Sequence, residues 1–151
     1  MKVQRCEQHN IKLDSEFGKF IDDYCFKSKN LYNYANYIVR QEFINNDRWI
    51  NYNELFQLVK DSESYKDVGS NTGQGTLRIL DKNWKSFFVA IKDWSKNPSK
   101  YLGRPKLPKY KAKDGRFVLS QKIFITMQIT LLGKSLSIMT DGSSIMNYSS
   151  W

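Results

Sequence analysis

Two rhythms of apolar positions run along this chain. Phe17, Phe20, Ile21, Tyr24, Leu31, Ala35, Ile38 and Val39 recur at steps of three, four or seven, the repeat of one helix face. Asp14 is positioned to cap this helix, with Glu16 favourable in its first turn, and the gap before Leu31 predicts a break near Ser28. A second long helix is predicted from Leu77, Leu80, Trp84, Phe87, Phe88, Ile91 and Trp94. Between them Asn53 can cap a short helix that buries Leu55, Phe56 and Val59. The two long helices, packed antiparallel through their apolar faces, would form the body of a small bundle. Residues 3–13 lack helical period and read as extended. In residues 118–139 Ile123, Ile125, Met127 and Ile129 alternate with more polar positions, which predicts two strands with a turn around Gly133.

The polar positions of the first helix form a stripe of their own. Lys29, Asn33, Asn36 and Arg40 share one face, flanked by Tyr32 and Tyr37. Amide and cationic donors with aromatic planes beside them suit phosphates, sugars and bases. The same pattern also fits a merely solvated face.

Charge sharpens this picture. The chain of 151 residues carries a net +9. Residues 96–116 hold eight Lys/Arg and one acid, Asp114, so that window alone contributes +7. A basic segment this local points to a polyanion. Pro98 ends the second helix, while Pro105 and Pro108 bias the strip to an extended course. Lys100, Arg104, Lys106, Lys109, Lys111 and Lys113 are then candidate phosphate contacts, Arg104 foremost because its planar fork binds phosphate bidentately. Two cysteines, Cys6 and Cys25, and one histidine, His9, are too few for a disulfide framework or a tetrahedral zinc site, so no cofactor is expected. No apolar run approaches the ~20 residues that cross a bilayer, and the N-terminus lacks the apolar core of a secretory signal. A cytoplasmic protein without membrane contact is the expectation.

Four segments, "SKNLYNYANYIVRQEF" (28–43), "NYNELFQLVKDSESYKDV" (51–68), "LDKNWKSFFVAIKDW" (80–94) and "YLGRPKLPKYKAKDGRFVLS" (101–120), occur in that order. Together they resemble the N-terminal part of the transposon-encoded TnpB (OrfB) proteins, relatives of the type V CRISPR effectors. The resemblance covers about residues 5–120, and "GRPKLPKYK" after "KSFF" is its most specific element. It implies an α+β fold, with a helical recognition lobe inserted in a partial wedge-type β-barrel. The divisions would be residues 1–13 as the first wedge strand, 14–97 as the helical lobe, 98–139 as the basic strip and returning strands, and 140–151 as a loose tail. It also implies guide-like RNA and DNA as partners, held by the strip and by the polar face of the first helix.

Full-length members of that family add a RuvC-like nuclease domain with three metal-binding carboxylates. Here Asp141 is followed by ten residues, none acidic, and the adjacent Asp22 and Asp23 point about 100° apart on a helix. No catalytic site is expected in this chain. It reads as the nucleic-acid-binding portion of a TnpB-like mobile-element protein. The alternatives are a truncated, non-functional transposase remnant, or one half of a split RNA-guided endonuclease whose nuclease domain is a separate chain.

Overall fold

The computed structural model describes residues 12–119, 129–131 and 134–136. Three helices dominate it: α1 (Glu16–Asn46), α2 (Tyr52–Val59) and α3 (Glu63–Lys96). Helix α1 is continuous through Ser28, without the expected break. The hydroxyl of Ser28 lies buried against α3, 2.9 Å from Thr76 Oγ1. Ser15 rather than Asp14 caps α1, accepting from the Gly18 amide, and Asn51 rather than Asn53 caps α2, accepting from the Glu54 amide. In each case an oxygen on a short side chain, three residues ahead of an unpaired amide, meets that amide.

The two long helices run parallel, not antiparallel. Their contacts climb both together: Ser28 meets Thr76, Asn83 donates to the Tyr32 hydroxyl, Trp84 donates to Asn36, and Phe43 packs on Phe87 and Phe88. The connection through α2 makes this possible by carrying the chain back before α3 begins. Gly69 completes the return. Its φ of 70° and ψ of 161° interrupt the helix, and only glycine adopts that backbone cheaply. Nearby, Gly73 lets Tyr65 lie close, since a Cβ there would come within 2.5 Å of the tyrosine ring.

The core follows the predicted stripes over most of their length. Leu31, Ala35 and Val39 of α1, Leu55 and Val59 of α2, and Leu77, Leu80 and Trp84 of α3 are buried together. Phe43, Trp49, Trp84, Phe87 and Phe88 close one end with ring centroids 5.4–6.3 Å apart, a range in which tilted and edge-on aromatic contacts are favourable. At the start of α1 the stripe is less covered, and Phe20 is exposed.

The expected wedge barrel is not what the described residues form. They are mostly helical, and the only strands among them are β1 (Ile129–Leu131) and β2 (Lys134–Leu136), three residues each and paired antiparallel. An α+β barrel fold is therefore set aside. The reason is visible in residues 104–118, which run without helix or ladder, turn once at Lys113–Asp114, and bond at Pro108, Lys111, Lys113, Phe117 and Val118 to side chains and backbone of α1. Pro105 and Pro108 also lack the amides a ladder requires. Of the proposed first strand, residues 12 and 13 lead into a turn at the start of α1. Residues 1–11, the alternating stretch 120–128, Gly133 and the segment 140–151 lie outside the described residues. Among the described residues no helix is long and apolar enough to cross a membrane.

Candidate nucleic-acid interface

After α3 a single 3-10 turn, Pro98–Lys100, reverses the chain, and the basic strip then runs back along α1. The polar stripe of that helix holds it. Arg40 Nη1 and Asn36 Nδ2 both donate to the Pro108 carbonyl, at 3.0 and 3.1 Å. Asn33 makes two bonds to one residue: its Nδ2 donates to the Lys111 carbonyl at 3.0 Å, and its Oδ1 accepts from the Lys111 amide at 2.8 Å. Lys29 Nζ donates to the Lys113 carbonyl at 2.5 Å.

The match is one of pitch. Seven residues of helix, from 33 to 40, rise about 10 Å at 1.5 Å each. Three extended residues, from 108 to 111, span about 10 Å at 3.3 Å each. A stripe at three- and four-residue spacing on a helix therefore meets the Pro108 and Lys111 carbonyls of an antiparallel extended segment. Lys29 reaches the Lys113 carbonyl in the turn that follows. The side-chain amide of Asn33 plays the part that a neighbouring strand's peptide plays in a sheet.

Apolar side chains pin the strip at both ends. Leu107 packs against the core, and Phe117 is buried with its ring 4.5 Å from that of Tyr32. The Phe117 amide donates to the Cys25 carbonyl at 3.1 Å. Beside it, Arg116 forms a two-pronged pair with Asp22, Nε to Oδ1 and Nη2 to Oδ2, each 2.7 Å. Hydrogen bonds from that guanidinium hold the Asp22 carboxyl below its ordinary range. Burial pushes the Cys25 thiol up to about 11, assisted by the Asp22 charge. Lys29 is almost wholly buried, with Nζ 3.7 Å from the centre of the Phe26 ring. Burial, with Arg116 nearby, pulls its ammonium below the usual lysine range.

The candidate contacts therefore divide into two groups. Lys29, Asn33, Asn36 and Arg40 spend donors on the strip, and Asn36 is fully buried between Pro108 and Trp84. Tyr32 is buried as well. Lys111 folds inward, 5.1 and 4.9 Å from the ring centres of Tyr32 and Phe117. Lys100 is exposed but bonded to Asp93 Oδ2 at 2.7 Å, and the same carboxylate accepts from the Tyr101 hydroxyl. These two bonds lower the Asp93 carboxyl to about 2. Arg104, Lys106, Lys109 and Lys113 are exposed, with Arg104 5.9 Å from the centre of the Trp94 ring.

Sequence reasoning missed Tyr110, which is 44% exposed and lies 5.0 Å from the Arg40 guanidinium. It also missed the clamp, although a signal was available. Asn36 falls between the core positions Ala35, Ile38 and Val39, where a solvated amide is out of place. No family model, curated protein or solved structure matches this chain.

Proposed function

We propose that this chain is a nucleic-acid-binding module that grips phosphates with the outward cations of its clamped strip. One observation carries the reading: α1 holds the strip's backbone at Pro108, Lys111 and Lys113, and Arg104, Lys106, Lys109 and Lys113 are all exposed within ten residues, with one exposed acid, Asp114, beside them. A backbone fixed before binding leaves less ordering to be done on association. The resemblance to the N-terminal part of TnpB proteins supports the same reading and names the partners, guide-like RNA and DNA. On this view the role of the described residues is to bind nucleic acid.

The test is binding of a short DNA duplex across a salt series. Four phosphate contacts give a log–log slope of about −3.6, at about −0.9 per contact. Replacing the four cations by glutamine should flatten that slope and leave the fold intact, since all four are exposed. A slope near zero for the unaltered chain would refute the proposal. Expression with the natural flanking DNA and sequencing of co-purified RNA tests the TnpB-like part separately. A discrete RNA from the flank is the expected result, and a random mixture would count against it.

A further inference from the structure

The clamped strip has two flanks, and they differ. On one, Lys111 leans over the buried rings of Tyr32 and Phe117. Successive side chains of an extended segment point to opposite sides, so Tyr110 leans to the other. There it meets Arg40, whose guanidinium is anchored on the Pro108 carbonyl and sits 5.0 Å from the tyrosine ring centre. Tyr37 lies one helical turn before Arg40, close enough for neighbouring side chains to share a face. It is 53% exposed, and Tyr34, a further turn away, is 40% exposed.

We infer that Tyr37 and Tyr110, arranged about Arg40, form a stacking platform for the bases of a single-stranded nucleic acid whose phosphates follow Lys109 and Lys113. The inference rests on the proposed phosphate grip and names its substrate class. Exposed tyrosine planes gain little from a duplex, whose base faces are covered by their neighbours. A single strand offers a free face at every base. Arg40 adds a cation beside the rings and holds Tyr110 in place before any strand arrives.

The experiment is fluorescence anisotropy with three labelled probes of equal length: oligo-U, oligo-dT and a mixed duplex. The single strands should bind more tightly than the duplex at the same salt. Tyr110→Ala and Tyr37→Ala should each weaken single-strand binding roughly five- to hundredfold while leaving duplex affinity and the salt slope unchanged. Tyr110→Phe, which keeps the ring, should behave as the parent chain does. Tighter binding of oligo-U would assign the strand to RNA, and tighter binding of oligo-dT to DNA. Wild-type affinity in both alanine variants, or preference for the duplex, overturns the platform. A salt slope near zero on every probe would instead remove the phosphate grip beneath it, so the two failures are distinct.

Discussion

Asn36→Ala separates two accounts of the polar stripe on α1. If the stripe faces nucleic acid, the substitution costs affinity and spares stability. If it clamps the strip, the reverse holds, and the structure sets the size. Asn36 is fully buried, accepts from Trp84 Nε1 at 3.1 Å and donates to the Pro108 carbonyl at 3.1 Å. Removing it leaves the indole N–H of a fully buried tryptophan unpaired, at about 1–3 kcal/mol. The Pro108 carbonyl keeps Arg40, so its loss is one ordinary bond, about 1 kcal/mol. The sum is about 2–4 kcal/mol, a large share of the 5–15 kcal/mol that typically holds a domain together. Urea unfolding followed by circular dichroism should show a midpoint lowered by about 1–2 M for a slope near 2 kcal/mol/M. Asn33→Ala should cost less, about 1–2 kcal/mol, because the Lys111 groups it frees are only partly buried and can reach water. Stability within about 0.5 kcal/mol of wild type for Asn36→Ala, a typical surface effect, together with reduced nucleic-acid binding, would refute the clamp.

Three further outcomes are expected. Gly73→Ala should destabilise the protein by about 1–3 kcal/mol in the same unfolding assay, because crowding of the Tyr65 ring outweighs the ~1 kcal/mol of helix propensity gained. A neutral or stabilised variant would show that the ring moves aside freely. The Asp22 carboxyl, held low by Arg116, contributes stability above its unfolded pKa near 4 and loses it as pH falls through the lower folded value. The stability gap between wild type and Asp22→Asn should therefore be full at pH 7 and shrink below pH 4, and a gap constant with pH would contradict this. In a Cys6→Ser background, the buried Cys25 thiol should react with a thiol reagent at least about a hundredfold more slowly in the native protein than in denaturant. Equal rates would mean that the strip does not stay closed over α1.

The core was legible because burial imposes period. Leu31, Ala35, Val39, Leu77, Leu80 and Trp84 mark one face of each helix, and no other arrangement satisfies that spacing as well. Helix direction was not legible. Parallel and antiparallel packings bury the same stripes, and the choice depends on the α2 connection and the bend at Gly69. The stripe Lys29, Asn33, Asn36 and Arg40 was legible as a stripe but not as a clamp, since donors at helical spacing suit phosphates and carbonyls alike. Its partner lies 68–84 residues further along the chain, and only the folded topology brings the two together. The extended course of the strip could be read from its prolines. The side of each cation could not, because Lys111 and Lys113 belong to one run of basic residues and yet one covers aromatic rings while the other meets solvent.

Amide hydrogen exchange at Lys111 tests the clamp most directly. This residue lies in an extended surface segment, outside any helix or strand, and its amide donates to Asn33 Oδ1 at 2.8 Å. Measured by NMR, the Lys111 amide should exchange well below the rate of an unstructured chain. Asn33→Ala should abolish that protection while the Phe117 amide, bonded to the Cys25 carbonyl, stays protected. Free exchange at Lys111 in the unaltered protein would mean that α1 does not hold the strip, and the outward cations would lose the scaffold that aims them.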